Sequence, residues 1–168
     1  GTISTTTGVK FGSGAFYGNS SGYLWLSSVN SDSLLDFTLE MWVTGQTGGP
    51  LLEGELNYYS GNLRFGGGSG TVVCTGTSID MVWSPTHFAI SRKNGTVKVF
   101  WGGIQRGTTG YDARLLNFIT NGLALGYFAG GPLYSYSYFD EVRLSDVCLY
   151  SSNFTPPSAP FEIPSGAY

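Results

Sequence analysis

The chain has 168 residues, which suits one domain and lets folding bury roughly 70% of the extended chain's surface. Charged residues are 11% and the net charge is −3; eight Lys and Arg in all do not make the basic stripe that a nucleic-acid binder needs. No apolar run approaches the roughly 18 residues of a membrane span, and no basic-then-apolar leader opens the chain, so no nucleic-acid binding and no membrane insertion are expected. The first residue is Gly1 rather than Met, and we expect a processed chain or an excised domain. A single domain over 1–168 is expected, with linker-like ends at 1–7 and 158–168.

In chain order, GTISTTT (1–7) reads as a linker or an edge strand, and residues 23–26 alternate as a short strand. FTLEMWV (37–43) is the cleanest strand of the first half. Phe37, Leu39, Met41 and Val43 share one face; Thr38, Glu40 and Trp42 share the other. Large apolar groups on both faces predict a central strand covered on both sides. Glu40 then needs a buried partner, and Arg143 is the expected one. Residues 51–59, 61–65 and 71–75 predict short strands between glycines, and 79–83 another, ended by Ser84-Pro85.

The strongest local signal is HFAISRK, then Asn94-Gly95, then TVKVFW. Asn-Gly between alternating runs is the favoured two-residue hairpin. It predicts Arg92 opposite Val97, Ile90 opposite Val99 and Phe88 opposite Trp101. Residues 102–110 read as a glycine-rich loop, 123–128 as a strand and AGGP (129–132) as a loop.

The closing stretch, YFDEVRLSDVCLYSSNFTPP (138–157), begins as a strand. Its alternation puts Phe139, Glu141 and Arg143 on one face and Asp140, Val142 and Leu144 on the other. Ser145-Asp146 predicts a bend, Tyr150 and Phe154 follow as apolar anchors, and Pro156-Pro157 stops regular structure. Many short strands, frequent turns and no long amphipathic helix give an all-β fold, a two-sheet antiparallel sandwich.

Four of these segments, in order, resemble the laminin-G-like and concanavalin A-like jelly rolls. FTLEMWV is similar to the family's FTIEAWV, and HFAISRKNGTVKVFWGG to its strand-turn-strand ending in a YVDG-like motif. LALGYF resembles the strand before its closing segment, and the ending resembles DEVRI followed by YTSNFTPP. The resemblance covers about residues 10–157. It implies a jelly-roll domain of the kind found in viral tail fibres and other extracellular surface proteins. The family's roles are glycan or protein binding, sometimes with calcium.

Glycoside hydrolysis needs two carboxylates about 5–9.5 Å apart across the scissile bond. Glu53 and Glu55 in LLEGELN would share one strand face, but the Glu-x-Asp-x-Glu pattern of the related glucanases is missing here. His87, the sole histidine, has no nucleophile-elbow motif to serve and is expected to be structural, at the start of a strand. In pentraxin-like relatives calcium ligands follow the strand resembling LALG; YFAGGPLYSYSY carries no acid. A different site using Asp32, Asp36, Asp80 or Asp112 stays open, but nothing in the sequence favours it, and no cofactor is expected. Cys74 and Cys148 are expected to stay unbridged as small hydrophobes.

Tyrosine is the unusual feature. Tyr58, Tyr59, Tyr111, Tyr127, Tyr134 and Tyr136 lie in or beside polar, glycine-rich segments, the composition of rigid amphipathic contact surfaces. They are the candidate ligand-binding residues, with the 127–136 loop at the centre; Tyr138 is expected to be structural. The leading expectation is a non-catalytic module, on a virion or extracellular surface, binding glycans or host-surface molecules. The alternative is a decoration domain that meets other subunits of a fibre or capsid, and the third reading is a glycosidase centred on Glu53 and Glu55.

Overall fold

FTLEMWVTG forms the central strand because both of its faces find cover. A computed structural model describes residues 4–19, 24–26, 36–45, 51–54, 56–65, 71–79, 82–115, 123–128 and 133–162. In these, the strands are β1 (Ser4–Thr5), β2 (Ala15–Tyr17), β3 (Leu24–Leu26), β4 (Phe37–Gly45), β5 (Leu52–Gly54), β6 (Leu56–Tyr59), β7 (Asn62–Phe65) and β8 (Thr71–Cys74). They continue with β9 (Val82–Lys93), β10 (Thr96–Trp101), β11 (Ile104–Tyr111), β12 (Leu123–Leu125), β13 (Tyr127–Phe128), β14 (Leu133–Tyr134) and β15 (Ser137–Ser145).

A seven-stranded sheet runs β1-β2-β15-β4-β9-β10-β11, a six-stranded sheet runs β3-β12-β5-β6-β7-β8, and β13-β14 form a separate ribbon. The inward residues of β4 (Phe37, Leu39, Met41, Val43) and Phe88 and Ile90 of β9 meet Leu52, Leu56, Leu63, Phe65, Leu123 and Leu125 of the second sheet in one core. Sheet therefore packs on sheet, as the alternation predicts. The Asn94-Gly95 hairpin has the expected register, Arg92 opposite Val97, Ile90 opposite Val99 and Phe88 opposite Trp101. Both cysteines are free, and burial pushes the Cys74 thiol up to about 11.

Four segments differ from the sequence reading. Residues 51–59 are not one strand: β5 and β6 are antiparallel partners with Leu52 opposite Tyr58. Ser84-Pro85 does not end a strand but lies inside β9, and His87 sits mid-strand rather than at its start. β9 pairs with β10 only as far as Phe88, and its register with β4 shifts near Val43 and Gly45, so Pro85 costs no ladder bond to β10 there. Residues 102–110 are a hairpin and a strand: Gly102 and Gly103 both have positive φ and form the turn into β11. Gly110 is needed because a Cβ there would stand 2.2 Å from the Val73 carbonyl oxygen of the passing edge. In β15 the register shifts between Asp140 and Arg143, with Glu141 at φ 51°. This bulge reverses the alternation, so Phe139 faces the core while Val142 and Leu144, not Arg143, continue that face.

The outer face of the seven-stranded sheet is crossed by two segments. From the N-terminal side, the amides of Lys10 and Phe11 donate to Asp140 Oδ2 at 2.6 and 3.0 Å. Phe11 meets Trp42 edge-on, with the Lys10 ammonium over the indole. Residues 146–162 cross from the other side. Leu149 N donates to Thr38 Oγ1, Tyr150 N to Ser91 Oγ, Phe154 N to Gly103 O and Phe161 N to Glu141 Oε2. The chain is thus tied down through Phe161, inside the segment expected to be linker-like, and Ser4–Thr5 forms an edge strand on β2.

Candidate ligand-contact site

Beneath the C-terminal segment lies a buried polar cluster around Glu40. Glu40 is fully buried. Its Oε1 accepts from Arg143 Nε and Nη2 at 2.9 and 2.6 Å, and its Oε2 from Tyr150 OH at 2.7 Å, with His87 Nε2 at 3.0 Å. Burial alone would raise the carboxyl's pKa, but the hydrogen bonds from His87, Tyr150 and Arg143 outweigh it and hold the group ionised below its ordinary value. Tyr150 stacks on Phe154 at 3.6 Å, and both rings meet His87 edge-on. The expected Glu40–Arg143 pair is present, with the carboxylate fully buried and the guanidinium one-third exposed. His87 and the Glu40 carboxylate both have no solvent exposure.

The same face opens where β4 ends. Gly45 has Ser137 of β15 and Val82 of β9 as its register partners. Val82 packs on the core, so Trp83 turns outward and is 89% exposed. Across Gly45, Tyr136 precedes Ser137, is 45% exposed and has φ 50°. Strand geometry puts the two Cα atoms roughly 10–12 Å apart, with no side chain on Gly45 between them. Beside Tyr136, Tyr17 and Tyr138 stack at 4.5 Å. The Tyr17 hydroxyl is raised above its ordinary pKa first by burial, then by the nearby Tyr138 and Tyr136. Tyr138 is also pressed by the N-terminal segment at Gly8, in keeping with a structural role.

The other predicted tyrosines separate into three groups. Tyr127 and Tyr134 face each other in the β13-β14 ribbon leading into Tyr136; their side chains and residues 129–132 lie outside the described residues. Tyr59, 36% exposed, lies at this same end on the second sheet, since Tyr58 opposes Leu52 and Leu52 opposes Leu125. Tyr58 is a correction. The parity of β6 turns it inward against Phe88, its hydroxyl donates to the Thr77 carbonyl, and burial pushes its pKa up to about 12.

Tyr111 is a second correction. It is 71% exposed, but it opposes Thr96 beside the Asn94-Gly95 turn, where Phe37 of β4 opposes Arg92. Nine residues of β4 put that end on the order of 25 Å from Gly45, so Tyr111 is no neighbour of Tyr136. Sequence reasoning passed over Trp83 and Tyr17. The available signal was a Trp placed one residue past a strand's apolar run, obscured by the Ser-Pro that follows it.

The expected carboxylate pair does not stand on one continuous strand, because the chain reverses between β5 and β6. Glu55 and the side chain of Glu53 lie outside the described residues, as do Asp32 and Asp80. Asp36 accepts from the Asn94 amide, and Asp112 is bound by Arg114. Burial would raise Asp112, but the Arg114 hydrogen bonds and charge carry it below its ordinary value. Among the described residues no three His, Cys, Asp or Glu side chains converge as metal ligands.

No known family profile matches the sequence, and no curated protein matches it. Solved structures do. Domain 4 of AbnA, a GH43 extracellular arabinanase from Geobacillus stearothermophilus solved with arabinotriose, is 20% identical with TM-score 0.67, over 89% of this chain and 78% of that one. A candidate carbohydrate-binding protein of Bacteroides ovatus is 17% identical with TM-score 0.59, over 80% and 44%. The binding domain of Paraclostridial Mosquitocidal Protein 1 is 13% identical with TM-score 0.59, over 89% and 43%. The chain spans less than half of the latter two. At these identities the likeness shows one thing, the fold: an all-β antiparallel sandwich.

Proposed function

We propose that this domain is a non-catalytic carbohydrate-binding module displayed on an extracellular or virion surface. The observation that carries the reading is the pair of exposed aromatics, Trp83 and Tyr136, held on either side of Gly45. An indole and a phenol offer flat apolar faces to the weakly polar faces of sugar rings, and the phenol hydroxyl and indole N–H can hydrogen-bond to sugar hydroxyls. Both sit on strands or directly beside them, so little backbone freedom is lost on binding. The two most similar neighbours described above are a domain solved with arabinotriose and a candidate carbohydrate-binding protein, which favours glycans over other ligands. The non-catalytic part of the reading is supported by the full burial of Glu40 and His87.

A glycan array on the isolated domain, repeated with a chelator, tests the reading directly. Binding is expected to survive the chelator, and Trp83→Ala and Tyr136→Ala should each weaken it about tenfold or more, as stacking contacts do. Thermal melts must show both variants folded. Full binding in both would remove this end from the site. No glycan binding, together with loss of self-association in Trp83→Ala, would favour the subunit-contact reading. Release of reducing sugar from a polysaccharide would overturn the non-catalytic part.

A further inference from the structure

At the opposite end of the seven-stranded sheet, a pocket of about 270 Å³ opens between the Asn94-Gly95 hairpin and the C-terminal segment. It is lined by Ser91, Lys93, Thr96 and Lys98 from β9 and β10, by Asn94, and by Cys148, Tyr150 and Ser151. Two of the eight Lys and Arg of a chain with net charge −3 thus stand in one small cavity whose lining contains no carboxylate. Lys98 is positioned by donating to the Ser151 carbonyl at 2.6 Å, which leaves its ammonium two further donors. Lys93 is exposed. Asp36, just before β4, accepts the Asn94 backbone amide at 2.7 Å and lies outside the lining. The walls are mostly carbon: lysine stems, the edge of Tyr150 and the Cys148 sulfur.

We propose that this pocket is a second binding site, distinct from the aromatic end, that takes a sugar ring bearing a carboxylate. The two ammonium groups would hold the carboxylate by charge-assisted hydrogen bonds. The Thr96 hydroxyl and the Asn94 side-chain amide, both on exposed residues, would meet ring hydroxyls, and the carbon walls would receive the ring. The volume suits one monosaccharide unit, not a chain. Because the charges stand at a solvent-open rim, affinity falls as salt rises.

Cys148 makes the site readable without a mutation. Cys74 is fully buried while Cys148 is partly exposed in the pocket wall, so alkylation reports on this cavity. Iodoacetate and iodoacetamide both give the same bond, with the thiolate sulfur attacking the methylene carbon and iodide leaving, but only iodoacetate is an anion. Relative to a free thiol in solution, Cys148 is expected to prefer iodoacetate, and the preference should fade in high salt. Glucuronate should protect Cys148, slowing alkylation roughly tenfold at ten times its dissociation constant, whereas glucose should not. Lys93→Gln should lose both the preference and the protection, and Lys93→Arg should keep them. Among the described residues the exposed Lys93 side chain makes no hydrogen bond or ion pair, and a thermal melt of Lys93→Gln separates loss of the site from loss of the fold. Equal protection by glucose and glucuronate overturns the carboxylate assignment. Equal protection by inorganic sulfate at the same concentration overturns the sugar assignment and leaves an ion site only. No protection by any of them overturns the site. None of these outcomes bears on the Trp83 and Tyr136 end, whose test uses its own variants.

Discussion

Two patches on one face of one sheet carry similar side chains and meet opposite fates. Around Glu40, the rings of Trp42, His87, Tyr150 and Phe154 close over a buried carboxylate, and the N- and C-terminal segments seal them. Around Gly45, Trp83 and Tyr136 stand in solvent. The difference lies in what crosses the sheet, not in the sheet. Where a crossing segment supplies partners, aromatics and charges become structure; beyond its edge, Trp83 and Tyr136 keep faces exposed to solvent. A buried acid–histidine pair is therefore weak evidence for chemistry, and an exposed tryptophan with no partner is the better lead.

The sealed patch breaks most visibly at its centre. Glu40→Ala leaves Arg143, the Tyr150 hydroxyl and His87 without their common acceptor. Removing one partner of a buried charge pair costs about 3 kcal/mol or more; Arg143 is one-third exposed and recovers some water, so the lower figure applies. Denaturant titration should show the loss, and a change below about 1 kcal/mol would mean that the crossing segment does not depend on this cluster. Tyr150→Phe keeps the stack on Phe154 and deletes only the bond to Glu40, so about 1.5–3 kcal/mol is expected, the range for a hydrogen bond to a charged group.

The same cluster sets an acid limit. The folded-state pKa of Glu40 is depressed below its ordinary 4.5, so its contribution is complete above that value and is lost as pH falls through the folded pKa. Asp112, also depressed through Arg114, acts in the same direction. Stability should be flat across neutral pH with respect to these two groups and fall below about pH 4.5. In Glu40→Gln the acid fall should be shallower. An unchanged slope would show that Glu40 is not held ionised by its neighbours.

The sealed patch was largely legible in the sequence, because it follows from rules that act locally or through register. FTLEMWV alternates without a break, so both of its faces could be read, and a charge on a covered strand demanded a partner that only a few positions could supply. Asn94-Gly95 fixed its hairpin because the turn type dictates the pairing. The open patch was half legible. The tyrosine composition pointed to the Tyr136 end, but Trp83 was hidden by Pro85, which is tolerated only because β9 outruns β10. Tyr58 and Tyr111 were misplaced for two different reasons. The antiparallel pairing of β5 with β6 set the parity that turns Tyr58 inward, and which end of a sheet a residue occupies depends on strand order, which no local pattern encodes. The bulge in β15 is a third instance: one extra residue moved Arg143 to the outer face, onto Glu40, where simple alternation would have grouped it with Phe139.

The smallest expected effect separates the two patches most sharply. Tyr136 holds a left-handed backbone conformation, which for a residue with a Cβ costs of order 1 kcal/mol or more. The ring is half in solvent and returns only part of that in packing. Tyr136→Gly relieves the backbone cost at once, though glycine gives back some of the gain through the greater entropy of its unfolded state. The net expectation is a domain as stable as the parent or more stable by up to about 1 kcal/mol, with weaker glycan binding. Trp83→Ala, which removes a side chain that touches little, should change stability by less than about 0.5 kcal/mol and also weaken binding. Melting temperature and binding measured on the same samples decide the matter. If Tyr136→Gly destabilises the domain as strongly as Glu40→Ala, the ring is structural and the open patch reduces to Trp83. If it is neutral or stabilising and binding falls, the strained tyrosine is held in place for its ligand rather than for the fold.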